Sequence, residues 1–440
     1  MLPDAGSPLY AQLLGDTATA AFLSDRAEIR AMIDVEAALA EAQGALGVIP
    51  SDAGFALARA CRGLSLDPGK LAARTGVDGV PVPALVAALR DALGSPEQAE
   101  HLHWGATSQD IVDTALALRL RGLLELWDDR IGALLRALAD LADRHADLPM
   151  AARTYGQSAV PTSFGAVAAA WGRPLLRHRD RLGAVRGDLL KVSLSGAAGT
   201  LSAMGGKGPE VRAALAASLG LADPGCSWHA ERDGVAAFAA WMAGLLGSLG
   251  KMGEDLLLLA QSDLGEVRIA GAGGSSTMPQ KQNPVGPSVL VALARTGIGL
   301  AAILQGAALH RQQRDGAAWF TEWLTFPQLC LLTGRALSLS LDLAAHLSPD
   351  PAAMAAHLEA QAGTIHAEAL SFALAVRMPR PEAQVAIKDL SREALRTGTP
   401  LPDLVRQAYP DLPIPATDLG QAPGEARGFA RAVRDRAGGQ

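Results

Sequence analysis

The sequence has few cysteines, few aromatic residues and no recognisable export signal. Its three cysteines, Cys61, Cys226 and Cys330, are far apart and show no metal-ligand spacing, which disfavours a disulfide framework or a zinc site. The first residues, MLPDAGSPLYAQLL, lack the basic segment and apolar run of a signal peptide. We therefore expect the protein in the reducing cytoplasm.

Long hydrophobic runs and an excess of basic residues are also missing. Residues 234–250 and 297–309 are uncharged, but each is shorter than a typical membrane span and is interrupted by Gly, Ser or Gln. We expect these two stretches to be core helices. The 39 basic and 45 acidic residues give a formal net charge of −6, and no basic tract contains interleaved aromatic residues. The sequence therefore predicts neither membrane insertion nor nucleic-acid binding.

The apolar residues that are present follow a helical period. In residues 24–47 they recur at steps of three and four, and Glu36 falls within the same stripe. A longer pattern begins at Thr107 and continues to about residue 147 without proline. Comparable helical patterns cover about residues 234–262, 284–305 and 325–347. Aromatic residues make up 4% of the chain, and alternating strand patterns are scarce. The sequence therefore predicts an all-α protein.

Gly- and Pro-rich segments at residues 74–86 and 346–354 suggest domain boundaries. We predict an N-terminal helical domain at residues 1–100, a central long-helix bundle at 101–348 and a C-terminal helical domain at 349–440. Several of the central helices have apolar residues on more than one side, and such helices need to be covered on most sides. Association of bundles into an oligomer is the expected way to cover them.

A polar, glycine-rich loop, GGSSTMPQKQNP at residues 273–284, interrupts this apolar chain. Asn283 and Pro284 favour the start of a helix. Such a helix end carries partial positive charge, and Lys281 adds a full charge beside it, so we expect an anion site. The alternative is an ordinary exposed connector between two helices.

Two further polar segments precede predicted core helices. HLHWGATSQDIVDT at residues 101–114 contains His103 and a possible helix-capping pair, Thr107 and Asp110. ARTYGQSAVPTSFG at residues 152–165 contains Arg153 and Tyr155. A single histidine or arginine of this kind is more often structural or solvated, but three such segments together favour a functional site.

These three segments resemble the signature regions of the fumarase/aspartase superfamily, in order and at suitable separations. The resemblance extends over nearly the whole chain, and HWGATSQD, SWHAERD and RDGAAWFTEW resemble its cycloisomerase branch, which acts on carboxylated muconates. It implies a fumarase/aspartase-like fold, a homotetramer with a multi-helix core, and active sites each shared by three subunits. It also implies a small polycarboxylate substrate and neither a metal nor an organic cofactor.

The resemblance implies that Ser275 exchanges a proton with the carbon beside a carboxylate, and that Lys281 and Asn283 bind and polarise carboxylates. The candidate catalytic residues are Ser275, Lys281 and His103. The candidate substrate-binding residues are Thr107, Ser108, Gln109, Arg153, Thr154, Tyr155, Gln157, Ser276, Met278, Asn283 and Arg314.

The chain departs from the superfamily pattern at Tyr155, where hydrolyases and amino-acid lyases typically have a histidine that protonates the leaving group. An internal carboxylate leaves without protonation, so the change favours a cycloisomerase. Gln313 stands where several relatives have glutamate, and MPQKQNP differs from the commoner His-Lys-Arg version. The alternatives are an adenylosuccinate lyase-like β-elimination enzyme that releases fumarate, and a non-catalytic helical scaffold. The roles of His229 and Arg232 stay open.

Overall fold

The structure is a computed structural model that describes residues 8–270, 273, 274, 278, 281–414 and 417–438. Of the described residues, 72% are helical, which confirms the predicted all-α class. The helices have the following bounds: α1 Pro8–Leu14, α2 Thr17–Leu23, α3 Asp25–Ala45, α4 Ser51–Gly63, α5 Gly69–Asp78, α6 Val82–Leu93, α7 Pro96–Ala99, α8 Ser108–Arg144, α9 Phe164–Leu189, α10 Gly208–Leu219, α11 Asp233–Leu259, α12 Val285–Ala307, α13 Gly316–His346, α14 Pro351–Glu359, α15 Ala367–Leu374, α16 Arg380–Thr397, α17 Leu401–Ala408 and α18 Ala422–Gly438. Two short 3₁₀ helices cover Ser202–Lys207 and Gln361–His366.

Within the described part of the chain, short strands form three two-stranded antiparallel sheets. The strands are β1 Pro149–Thr154, β2 Gln157–Ser163, β3 Val267–Ile269, β4 Gly273–Gly274, β5 Gln282–Asn283 and β6 Leu347–Pro349. The pairs are β1 with β2, β3 with β6, and β4 with β5. The register of the last pair places Gly273 opposite Asn283. The two ends of the polar loop are thereby joined.

The chain divides into two compact units. Unit 1 comprises residues 1–130, 178–247 and 293–338, and unit 2 comprises residues 131–177, 248–292 and 339–440. The long helices α8, α9, α11, α12 and α13 contribute residues to both units. The division into three sequential domains stays a prediction.

The core of unit 1 contains the apolar face of α3, including Met32, Ile33 and Leu39, which are almost fully buried. Helix α4 packs closely against α3 at two glycines. A Cβ atom on Gly44 would lie 3.0 Å from the Cα atom of Gly54. Only residues without a side chain allow the two backbones to approach this closely.

In unit 2, α9 begins beside the end of α8. A Cβ atom on Gly165 would lie 2.4 Å from the carbonyl oxygen of Ala142, so a larger residue would push the two helices apart. A separate buried cluster joins α15, α16 and α17 through Leu370, Leu374 and Ile387, among other residues.

The sequence predicted the extent of α8 well, but two helix starts differ from the predictions. A helix was expected from about residue 325, whereas α13 begins at Gly316 because the carboxylate of Asp315 accepts from the backbone N–H of Ala317 over 3.0 Å. Asn283 was expected to cap the helix after the polar loop. In the structure α12 begins at Val285, and the carbonyl of Pro284 accepts the first helical hydrogen bond, from Ser288.

Two helices, α11 and α12, are long and apolar enough to cross a membrane by length and composition, with mean hydropathy of 1.4 and 1.7. Core helices of soluble proteins meet the same criterion. Within the chain itself, 61% of the apolar window of α11 and 50% of that of α12 are buried. The expectation of core helices therefore fits these two segments.

Candidate active site

The first polar segment forms the capped start of α8 in unit 1. The backbone N–H of Thr107 donates to Asp110 Oδ2 over 3.0 Å, which confirms the predicted capping pair. Asp110 is fully buried and also accepts from the backbone N–H groups of Ser195 and Gly196, over 2.8 and 2.9 Å. Its carboxylate thus fixes the loop at residues 195–196 against the start of α8, where Ser108 is the first helical residue.

The side-chain amide of Gln109 connects the same turn to a buried charge network. Its oxygen accepts from Arg314 Nε over 2.9 Å, and its nitrogen donates to Asp113 Oδ2 over 3.1 Å and to the carbonyl of His229 over 3.0 Å. Gln109 is fully buried. Two predicted substrate-binding residues, Gln109 and Arg314, are therefore in direct contact.

Arg232 lies at the centre of this network. It donates to Asp113 over 2.7 Å and to Glu322 over 2.5 Å, and the three side chains are at most 6% exposed. Burial alone would lower the pKa of the guanidinium, but the two carboxylates raise it above its usual range. Arg232 is thereby fixed as a cation, and it keeps two buried carboxylates paired.

Two histidines lie beside this network. His229 Nε2 is 2.8 Å from Asp110 Oδ1, so a proton on that nitrogen is donated to the carboxylate. The imidazole of His310 is fully buried, with Nε2 3.9 Å from Glu322. Burial and the nearby Arg232 lower the pKa of His310. The sequence singled out His229 and Arg232 without a role, but it gave no signal for Glu322 or His310.

His103 lies in the loop before α8 and contacts a carboxylate from α3. Its Nδ1 is 2.6 Å from Glu36 Oε1, and the Glu36 side chain is fully buried. Burial would lower the pKa of His103, but the charge and hydrogen bond of Glu36 outweigh it and raise the pKa. The signal for Glu36 was visible in the sequence as a carboxylate within the apolar stripe of α3.

In unit 2, the second polar segment forms the β1–β2 hairpin. Thr154 pairs with Gln157 across a two-residue turn, Tyr155-Gly156, in which φ is +51° and +74°. Positive φ at both central positions is typical of the tight turns that join antiparallel strands. The Tyr155 side chain is completely exposed, and Thr154 and Gln157 are exposed beside it. The hairpin tip therefore presents three predicted substrate-binding residues to the surroundings.

Arg153, at the base of that tip, is already paired. It donates from both terminal nitrogens to Glu266 over 2.7 and 2.8 Å, and Glu266 also lies 2.9 Å from His357 Nδ1. Glu266 is fully buried, and 22% of the Arg153 side chain is exposed. The structure thus ties Arg153 to β3 and α14 through a partner that the sequence did not indicate.

The polar loop lies in unit 2 as well. Lys281 and Met278 are exposed, and the backbone N–H of Lys281 donates to the carbonyl of Met278. Asn283 is half-buried in β5. Ser275 and Ser276 lie outside the described residues.

A pocket of about 170 Å³ lies in unit 1 beside the buried charge network of Arg232, and both aromatic and charged side chains line it. Asp113 and Glu322 contribute to its wall, as do Arg119, Trp319 and Trp323. None of the predicted site residues lines it. Among the residues that the structure describes, no group of three or more His, Cys, Asp or Glu side chains could hold a metal ion.

A family model described as lyase matches residues 16–299, which is more than half of the chain. The chain belongs to this family.

Named relatives agree with this assignment. The chain is 42% identical over 380 residues to 3-carboxy-cis,cis-muconate cycloisomerase of Pseudomonas aeruginosa, covering 85% of this chain and 83% of that protein. It is 40% identical to the cycloisomerase of the same name from Bradyrhizobium diazoefficiens, covering 88% and 87%. The crystal structure of 3-carboxy-cis,cis-muconate lactonizing enzyme from Pseudomonas putida superposes with a TM-score of 0.92 at 35% identity, covering 98% of this chain and all of that one. The resemblance to the cycloisomerase branch is confirmed.

Proposed function

We propose that this enzyme converts 3-carboxy-cis,cis-muconate to 4-carboxymuconolactone, a lactonizing step in the protocatechuate branch of aromatic-acid catabolism. The observation that carries the proposal is that both relatives and the superposed structure are named for this one reaction. The reaction is an isomerisation, because one carboxylate of the substrate adds to its own conjugated double bond and a proton is gained at the carbon beside another carboxylate.

The charge of the substrate decides which side chains the site requires. All three carboxylates are ionised near neutral pH, and addition of one of them develops an enediolate-like charge on another. Preorganised cations and hydrogen-bond donors stabilise such a charge. Arg314, held by Gln109 in unit 1, and Lys281, exposed in unit 2, are the side chains proposed for this task.

Proton transfer is proposed for Ser275, with Lys281 and the start of α12 lowering the cost of its alkoxide. Asn283 is proposed to polarise a substrate carboxylate, and Ser276 and Met278 are proposed to bind the substrate. The glycines Gly273 and Gly274 pair with β5, which joins the two ends of the loop. His103 is proposed as a third catalytic group beside Thr107, Ser108 and Gln109.

The surface supports association into a homotetramer with shared active sites, as expected from the superfamily. Large apolar side chains on the long helices are more than 40% exposed in the single chain, including Leu258, Ile298, Ile303 and Leu324. Exposed apolar surface of this extent marks contacts with other chains. The exposed hairpin tip at Tyr155 is then free to contribute to a site on a neighbouring subunit.

We also propose a cytoplasmic location, which matches three free cysteines with no disulfide among the described residues. Loss of the diene absorbance of 3-carboxy-cis,cis-muconate on addition of purified protein would establish the activity. Size-exclusion chromatography with light scattering would test the tetramer, and a monomer with full activity would exclude shared sites.

A further inference from the structure

Glu36 forms a pair with His103 but has no role of its own in the function proposed so far. Glu36 lies on the buried face of α3, and its side chain is fully buried. One carboxylate oxygen contacts His103 Nδ1 over 2.6 Å, and the other, Oε2, has no hydrogen-bond partner among the described residues. A buried carboxylate is costly unless a cation or several donors accompany it. His103 is the group beside it that can carry that charge.

The loop that carries His103 is fastened to α3 at two places. His103 has φ of +64°, a strained conformation that residues with a side chain rarely adopt. Gln43 Nε2 donates to the backbone carbonyl of Trp104, the residue after His103, over 2.7 Å. Glu36 and Gln43 are seven residues apart, which places both on the same face of α3. Helix α3 therefore holds both the backbone of this loop and the imidazole ring of His103.

The charges around the ring favour its protonated form. Glu36 on α3 and Asp110 on α8 raise the pKa of His103, and Arg90 on α6 and burial oppose them. Because Glu36 engages Nδ1, Nε2 is the ring nitrogen left for a ligand, and 18% of the side chain stays exposed. A protonated imidazole with one committed nitrogen offers a single, charged donor on the other.

We infer that Glu36 is a positioning residue that keeps His103 protonated and oriented, so that His103 Nε2 binds a substrate carboxylate as a cationic donor. The inference rests on the proposed function for the identity of the ligand, and it extends that function to a residue on another helix. A purely structural pair would only tie the loop to α3. The two roles differ in what happens to binding when the charge of Glu36 is removed but the loop is kept.

The test compares Glu36→Gln with the matched control Gln43→Leu. Glu36→Gln keeps the shape of the side chain and removes its charge, whereas Gln43→Leu loosens the same loop and leaves the charge. The His103 resonance is followed by NMR with labelled histidine and assigned by its absence in His103→Asn. We expect Glu36→Gln to lower the His103 pKa by about 1–3 units, and Gln43→Leu to leave it in place.

The pH dependence of kcat/KM supplies the second measurement. In Glu36→Gln the loss of kcat/KM at high pH should begin at lower pH, and KM at pH 8 should rise more than kcat falls. Glu36→Gln should add no further loss in a His103→Asn background, because Glu36 acts through His103. An equal additional loss in that background, or an unchanged His103 titration, would overturn the inference.

A second variant, Glu36→Asp, covers the case in which Glu36→Gln does not fold. If Glu36→Gln does not fold, Glu36→Asp keeps the negative charge at a greater distance from His103. We then expect a smaller decrease of the His103 pKa, and a smaller shift of the pH at which kcat/KM falls, in the same direction. No shift in a folded Glu36→Asp enzyme with intact binding contradicts the inference. The histidine titration needs no substrate. It therefore tests whether Glu36 keeps His103 protonated even if muconate is not turned over, which would count against the proposed function alone.

Discussion

Arg314 donates from Nε to the side-chain oxygen of Gln109 over 2.9 Å, and Gln109 in turn donates to Asp113. The orientation of a candidate carboxylate-binding cation thus depends on one buried amide. We predict that Gln109→Leu raises KM by about 10- to 100-fold, because a hydrogen bond to a charged group contributes about 1.5–3 kcal/mol. Steady-state kinetics test this, with the exposed Gln407→Leu as control. An unchanged KM would remove Arg314 from the binding site.

Ser275→Ala tests the assigned proton transfer. The variant should fold and assemble normally but lose most turnover, about 10²-fold or more, since a positioned acid–base group contributes about 10²–10⁴ in rate. The neighbouring variant Ser276→Ala should retain turnover and bind substrate less well. If the two variants exchange these phenotypes, the proton is carried by the second serine.

Lys281→Met should raise KM and slow the chemical step together, because the same charge binds the carboxylate and stabilises the enediolate. Lys251→Met is the matched control. Lys251 is exposed and pairs with Asp255 within α11, a type of surface pair that contributes little. Equal kinetics in the two variants would move the anion site away from the polar loop.

Arg153→Met should weaken substrate binding and also destabilise the protein. Among the described side chains, its removal leaves the buried carboxylate of Glu266 with the imidazole of His357 as its remaining ion-pair or hydrogen-bond partner, and breaking a buried pair costs about 3–5 kcal/mol. Adding Glu266→Gln should restore thermal stability without restoring KM. Recovery of both by the double variant would show that Arg153 acts only through its ion pair.

The helical class was predictable because apolar periodicity is a local property of the sequence. It located the start of α8 to within one residue, since the capping pair of Thr107 and Asp110 lies there, and the end of α8 to within three. The start of α13 was missed because the capping residue, Asp315, stands before a glycine rather than before an apolar repeat. Local sequence patterns therefore predicted the type of each secondary-structure element better than its boundaries.

The three polar segments of the candidate site were recognisable in the sequence, but the partners of their side chains were not. Glu266 is 113 residues from Arg153, and Glu322 is 90 residues from Arg232. Such partners are set by tertiary packing, which no sequence window contains. The exposed turn at Tyr155-Gly156 was likewise hidden, because a polar segment before a helix can equally be a loop.

The most direct test of the proposed reaction is the ultraviolet absorbance of 3-carboxy-cis,cis-muconate mixed with purified protein, without added metal, and with adenylosuccinate in a parallel cuvette. We predict loss of the diene absorbance in the first cuvette and no change in the second. An unchanged diene together with a purine difference spectrum would contradict lactonization and would identify a lyase that releases fumarate.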